Sequence, residues 1–227
     1  MLYRRLGDSD LEVSVIGLGT WVMGGVWWAE PEDEQSIEAI KVSIEGGVNL
    51  IDTAPAYGYG RAERVVGNAI KGVRDKVIVA TKCGLAWDEK GNIFHNLKRE
   101  SLLKEIDASL ERLGVDVIDL YQVHWPKMKH LWHKEDMSEK DYQDIVDSMA
   151  KLKEEGLIRY AGVSNFRKKH LLNFPEEIFS SVIVSNQVPY SLLWRCYDID
   201  GTTDFCMKNK IDYLAYSPLA EGLLTGR

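Results

Sequence analysis

Seven short apolar runs punctuate this 227-residue chain, and helix-period segments fill most of the intervals between them. The runs are Val15–Leu18, Val48–Ile51, Val77–Ala80, Val117–Val123, Tyr160–Val163, Val182–Val184 and Tyr213–Ala215. Strands that run the same way need a long crossover, usually a helix, so the alternation reads as parallel βαβ units. Helices are expected from about Glu32 to Glu45, with Ile37, Ile40 and Ile44 on one face and Gly46-Gly47 as the stop, and from Ala62 to Lys71. Another runs near Lys98 to Leu113, packing Leu102, Ile106, Leu110 and Leu113 before Gly114. Further helices follow a Ser138-x-x-Asp141 N-cap up to Gly156, surround Leu171 and Leu172 before Pro175, and run from Thr203 to Lys208. A hairpin, Tyr3–Leu6 and Leu11–Val13 around Gly7-Asp8-Ser9-Asp10, precedes the first core strand, and a long loop, PKMKHLWHKEDM, follows Trp125.

Such an alternation builds either an open doubly wound sheet or a closed barrel. The dinucleotide fingerprint G-x-G-x-x-G is missing, because Gly17 and Gly19 are followed by Val22, and Gly58 and Gly60 by Glu63. The expectation is therefore an α/β fold, a (β/α)8 TIM barrel with an N-terminal hairpin, in one domain over residues 1–227. Seven runs cannot close an eightfold barrel. An eighth strand and C-terminal segment, roughly 50 to 100 further residues, are expected in the natural protein.

Composition narrows the function. A net charge of −7 offers no basic face for phosphates, and the short cationic stretch Arg167–His170 reads as a solvated helix start. Three cysteines, Cys83, Cys196 and Cys206, have no metal spacing, and no apolar stretch approaches a membrane span. A cytoplasmic protein with neither nucleic-acid nor membrane partners is expected, its oligomeric state open.

Four polar residues sit at or just beyond the C-terminal ends of apolar runs: Asp52, Tyr57, Lys82 and His124. In a parallel barrel those ends converge on one rim, where barrel enzymes build their sites. A tyrosine is too weak an acid to cycle quickly near neutral pH, and a nearby ammonium would lower its pKa. Lys82 supplies the ammonium and Asp52 the carboxylate that keeps it charged. A ring N–H of His124 can hold a carbonyl oxygen while Tyr57 delivers the proton. Taken singly, each has a plainer reading: a turn-capping aspartate, a core tyrosine with a wet hydroxyl, a satisfied histidine. Their clustering favours a shared site. A metal-dependent hydrolase would need more rim ligands than His124 and Asp52, and Lys82 would repel the cation. No metal is expected.

The stretches GLGTW, NLIDTAPAYGYGRAERVVG, VATK, IDLYQVHWP, IRYAGVSNF, NQVPYSLL and YSPLAEGLLTGR, from Gly17 to Arg227, resemble the aldo-keto reductases. Closest is the branch of bacterial stress-type reductases and potassium-channel beta subunits. The resemblance implies NADP-dependent reduction of a small-molecule carbonyl, with NAD possible as cofactor. It assigns Tyr57 as proton donor with Asp52, Lys82 and His124 as partners. It places Ser164, Asn165 and Gln187 on the nicotinamide carboxamide and Tyr216 against the ring. Ser217, Pro218, Leu219, Ala220, Gly222 and Arg227 match a pyrophosphate loop, and Asp52, Gly19, Thr20 and Trp21 complete the cofactor contacts. A cofactor-holding, redox-sensing channel subunit is the alternative, but that group is expected to replace the histidine, so His124 favours an enzyme.

Seven tryptophans are many for such a chain. Trp21, Trp87, Trp125 and the Trp27-Trp28 pair follow strand ends and are expected to wall an apolar substrate pocket beside His124, whereas Trp132 and Trp194 read as helix-face packing. That wall favours aromatic or long-chain carbonyls. Cys83 reads as a packed thiol.

Overall fold

A computed structural model describes residues 1–25, 31–129, 132–133 and 135–226. Trp27, Trp28, Arg227 and the side chain of Trp132 lie outside the described residues. In chain order the elements are β1 (Tyr3–Arg5), β2 (Glu12–Ser14), β3 (Leu18–Gly19), α1 (Asp33–Glu45), β4 (Leu50–Asp52), α2 (Arg61–Ala69) and β5 (Ile78–Cys83). Next come β6 (Leu85–Trp87), β7 (Ile93–His95), α3 (Arg99–Leu113), β8 (Ile118–Val123), β9 (Met128–Lys129), β10 (Trp132–His133) and α4 (Glu139–Glu154). The last are β11 (Ile158–Ser164), α5 (Lys168–Leu171), α6 (Glu177–Ser181), β12 (Ile183–Pro189), α7 (Cys196–Ile199), α8 (Thr202–Lys208) and β13 (Asp212–Tyr216).

Seven parallel strands pair in the order β3-β4-β5-β8-β11-β12-β13, each consecutive pair joined by a connection that carries helix. The sheet curls strongly. Strands β4 and β12 are four steps apart, roughly 19 Å on a flat sheet at about 4.8 Å per step. Yet Gln187 Nε2 on β12 donates to Asp52 Oδ1 on β4 at 2.9 Å. This is the curved α/β architecture expected of barrel strands.

Side-chain alternation gives the curled sheet two apolar layers. Leu50, Ile78, Ala80, Leu120 and Val184 point inward and meet Leu6, Leu11 and Val13, so the N-terminal hairpin region plugs the bottom of the sheet. Gly7 permits that approach: at φ +53° it lies so near β12 that a Cβ would fall 2.3 Å from the Val184 carbonyl oxygen. Ile51, Val79, Tyr121, Val123, Ala161 and Val163 face outward against Ile40, Val66, Ile106, Ile145 and Met149 of the helices. Truncating a wholly buried side chain such as Ile106 costs about 2–5 kcal/mol. The expected N-cap of α4 is present: Asp141 N–H donates to Ser138 Oγ at 3.3 Å, and Ser138 N–H to Asp141 Oδ2 at 2.9 Å.

Three expectations need correction. The run from Val15 is mostly not core strand: Val15 and Ile16 are 50 % and 64 % exposed, and Val15 N–H donates to Leu2 O, prolonging the terminal hairpin before β3 begins at Leu18. Residues 85–95 form an unanticipated antiparallel hairpin, β6–β7, whose turn is held by Asp88 accepting from the Lys90 and Asn92 amides. The loop after Trp125 contains the short parallel pair β9–β10 rather than irregular chain alone.

Candidate active site

The same inward alternation that makes the bottom of the sheet apolar makes its upper rim polar. Above Leu50 on β4 comes Asp52, above Ile78 and Ala80 on β5 comes Lys82, and above Leu120 on β8 come Gln122 and then His124. A one-residue slip would turn every one of these groups outward.

Lys82 is 1 % exposed, and a bare ammonium there would be costly. It is fully engaged. Its Nζ donates to Asp52 Oδ1 at 2.9 Å, to Asp52 Oδ2 at 2.8 Å and to the Thr53 carbonyl at 2.9 Å, and reaches the Tyr57 hydroxyl at 3.3 Å. Asp52 Oδ1 also accepts from Gln187 Nε2 at 2.9 Å and Gln122 Nε2 at 3.4 Å. Burial works against the Lys82 charge, but the Asp52 carboxylate and the Tyr57 oxygen outweigh it and hold the ammonium above its ordinary value.

Against the expectation from sequence, the Tyr57 hydroxyl is held above its ordinary value of 10.0. Burial is the largest influence and raises it; Lys82 pulls it down and Asp52 pushes it up. The ammonium therefore offsets part of a desolvation penalty and does not produce a net acidic phenol. His124 stands edge-on to Tyr57, ring centroids 5.7 Å apart at 79°. Burial, then Lys82 and His95, push it well below the usual imidazole range, so the ring is neutral and its Nδ1 is buried without a hydrogen-bond partner.

Backbone contact fixes the Tyr57 loop. A Cβ on Gly24 would lie 2.6 Å from the Tyr57 carbonyl carbon, and one on Gly58, at φ +66°, would lie 2.1 Å from the Gly24 oxygen. Only glycines permit this approach. The sequence motifs single out neither Gly24 nor Gln122; Gln122 is legible as the position two before His124, whereas the glycine contact has no local signal.

The remaining expected residues form a second cluster, linked to the first. Tyr216 Oη donates to Asn165 Oδ1 at 2.8 Å; Asn165 Nδ2 donates to Ser164 Oγ at 3.0 Å and to the His124 carbonyl at 3.1 Å; Ser164 Oγ donates to the Gln187 carbonyl at 2.8 Å. Asn165 adopts φ +66°, an uncommon conformation for which asparagine is among the better suited side chains. Thr20 is buried with its amide and hydroxyl both committed to the Asp52 carbonyl, while Gly19 borders open space. After β13, Ser217, Ala220 and Glu221 have positive φ and Gly222 follows at +99°, a strained loop of the kind found at ligand sites. Pro218 and Leu219 lie within it.

Beside this cluster opens a cleft of about 740 Å³ lined by Trp125, Asn165, Tyr190, Trp194, Tyr216 and Ser217 among others. Trp194 is thus a cleft residue, 53 % exposed, and not helix packing, because it falls in the loop before α7. Trp21 is 43 % exposed in a short turn after β3, and Trp87 packs against Tyr59, ring centroids 5.6 Å apart; neither lines the cleft. Arg167 and Lys169, expected to be merely solvated, also border it. Cys83 is buried, which pushes its thiol well up and leaves it inert. No helix among the described residues is long and apolar enough to cross a membrane.

Known proteins resemble this chain in sequence and in fold. Aldo-keto reductase YhdN of Bacillus subtilis is 39 % identical over the whole chain, which spans 65 % of that protein. NADH-specific methylglyoxal reductase of Escherichia coli is 36 % identical over 97 % of the chain, spanning 68 % of its own length. Glycerol dehydrogenase from Gluconobacter oxydans superposes with a TM-score of 0.84 at 36 % identity, covering 99 % of this chain and 66 % of that one. The chain thus spans about two thirds of the relatives it matches. With the family model for the aldo/keto reductase family matching residues 15–227, the chain belongs to that family.

Proposed function

We propose that this chain reduces an aldehyde or ketone to the alcohol with a nicotinamide dinucleotide, Tyr57 donating the proton. The observation that carries the reading is the shared ammonium: Lys82 Nζ lies 2.8 Å from Asp52 Oδ2 and 3.3 Å from the Tyr57 hydroxyl, beside a neutral His124. A bound reduced nicotinamide would supply hydride to the carbonyl carbon. The residues suit such a group: Tyr216 offers a flat face on the cleft, and Ser164, Asn165 and Gln187 offer amide and hydroxyl groups to a carboxamide. The strained loop from Ser217 to Gly222, whose Ala220 and Gly222 amides turn back on the Ser217 and Leu219 carbonyls, is the segment that on the family resemblance would hold the anionic oxygens, with Arg227 as the expected cation.

Tyr57, protonated because burial raises its pKa, gives its proton to the carbonyl oxygen. The tyrosinate left behind faces the Lys82 ammonium, whose charge Asp52 maintains. His124 donates a ring N–H to the same oxygen and, being neutral, does not compete as an acid. Among the described residues no three metal-ligating side chains gather, so a metal-dependent hydrolase gains no support.

The aromatic cleft favours aryl or long-chain carbonyls, while the E. coli relative is named for methylglyoxal and NADH. NADPH is the expected cofactor on the family resemblance. Absorbance at 340 nm with 4-nitrobenzaldehyde or methylglyoxal, and NADPH or NADH, tests the reading. Turnover should fall about 10²-fold or more in Tyr57→Phe with cofactor affinity retained. Cofactor binding with no turnover on any carbonyl would instead support a binding subunit.

A further inference from the structure

Glu63 of α2 is a wholly buried carboxylate that takes no part in the proton transfer. A charge is costly to bury unless its oxygens are paired, and both are: Thr81 Oγ1 on β5 donates to Oε1 at 2.7 Å, and Arg112 Nε on α3 donates to Oε2 at 2.6 Å. Side chains alternate along a strand, so Thr81 turns outward with Val79 and Cys83 while Lys82 turns inward to the rim. Glu63 therefore grips β5 one residue from Lys82, on the opposite face.

The same turn of α2 also holds Tyr57. Ala62 N–H donates to the Tyr57 carbonyl at 3.2 Å, and Arg61 N–H donates to the Gly58 carbonyl at 3.0 Å. Close packing stops α2 from backing away, because a Cβ on Gly67 would lie 2.5 Å from the Leu113 carbonyl oxygen at the end of α3. Neighbouring residues of α2 are thus tied to Tyr57 and to Thr81, and the contacts close a ring that runs from the Tyr57 carbonyl through Ala62, Glu63, Thr81 and Lys82 back to the Tyr57 hydroxyl. Its back link, a charge-assisted bond at 2.7 Å, is stronger than the 3.3 Å approach of the ammonium at the front.

We propose that Glu63 is a positioning residue: through Thr81 and Ala62 it sets the distance from the Lys82 ammonium to the Tyr57 hydroxyl, and so how strongly Lys82 stabilises the tyrosinate left by proton transfer. The proton-transfer part rests on the reductase reading; the spacing part does not. A slip of about 1 Å from 3.3 Å weakens that attraction by roughly a quarter, since it falls as the inverse of distance. The hydroxyl is faced by Lys82, Asp52 and His124, and Thr81→Val alters none of their charges nor that of Glu63, so a shift in that variant reports geometry. Carbon-13 NMR of ring-labelled tyrosine, with Tyr57 assigned by Tyr57→Phe, reads the titration directly. Its midpoint should rise by about half a unit or more in Thr81→Val and in Glu63→Ala, and return in Thr81→Ser, which keeps the hydroxyl. In parallel, kcat for 4-nitrobenzaldehyde should fall about twofold or more with its alkaline limb moved upward, at unchanged KM for the cofactor. Ile106→Val, which loosens the core away from this ring, should leave the titration in place. A parent-like titration in Thr81→Val overturns the proposal, and so does a shift that Thr81→Ser fails to reverse or that Ile106→Val reproduces; if Glu63→Ala does not fold, Thr81→Val decides alone. A parent chain inactive on every carbonyl refutes the reductase reading, while the titration still decides what Glu63 does.

Discussion

Replacing Lys82 by methionine removes the charge at the centre of the rim and keeps most of the volume. The ammonium is 1 % exposed and contacts Asp52 Oδ1, Asp52 Oδ2, Thr53 O and Tyr57 Oη, so the variant strands a carboxylate that, among the described residues, keeps the Gln187 and Gln122 amides. Breaking a buried pair from one side costs about 3–5 kcal/mol, and because the Asp52 side chain is 17 % exposed and water reaches it, the lower end, about 3 kcal/mol, is expected. At about 2–4 °C per kcal/mol for a chain of this size, Tm should fall by about 6–12 °C. Circular dichroism melting measures it, alongside the double variant Lys82→Met with Asp52→Leu, which removes both charges and should recover much of the loss. The pH dependence has a definite sign. Lys82 is held above its ordinary 10.5, so its contribution is complete below that pH and is lost as pH rises through the folded value. The gap between parent and Lys82→Met should therefore be constant at neutral pH and narrow only above about 10.5. With its opposing charge gone, Tyr57 should move still higher, shifting the alkaline limb of the oxidation-direction profile upward. A single variant that loses less than about 1 kcal/mol, or a double variant whose losses simply add, would refute a coupled buried pair.

Other perturbations probe neighbouring links. His124 and His170 are both held below 6.5, so below that pH the unfolded chain takes up protons that the folded one refuses and stability declines on acidification; His124→Asn should lessen the decline seen in urea unfolding between pH 7 and 5, leaving the part due to His170. Identical declines in both proteins would show that the His124 ring is not held neutral. Gly24→Ala sets a Cβ 2.6 Å from the Tyr57 carbonyl carbon and 2.7 Å from Gly58 N, so the donor loop must shift and turnover should drop roughly tenfold or more, with cofactor affinity intact. Wild-type turnover in that variant would mean the loop's position is immaterial. Tyr216→Ala should weaken cofactor binding by about 1–3 kcal/mol by calorimetric titration, whereas Tyr216→Phe, losing only the hydroxyl bond to Asn165, should bind nearly normally. Tight binding retained in the alanine variant would place the nicotinamide elsewhere.

What this sequence determined by itself was local and periodic. Apolar runs of the right length, separated by helix-period segments, specify parallel strands and helices, and inward alternation already ranks Asp52, Lys82 and His124 on one side of their strands. Even there locality misleads: the run from Val15 has strand chemistry, yet most of it prolongs the terminal hairpin, because pairing partners and not propensity decide which sheet a strand joins. Only the tertiary structure decided the rest. Sheet curl carries Gln187 four strands round to Asp52, a contact across 135 residues that no window of sequence contains. The Gly24–Gly58 approach and the bond from the Tyr59 hydroxyl to the Gly91 carbonyl each depend on two loops meeting in space. The sign of the Tyr57 shift also belongs to the packed state. A neighbouring lysine can be read from a motif, but the desolvation that outweighs it comes from every atom that excludes water around the hydroxyl, and that exclusion exists only once the chain has folded.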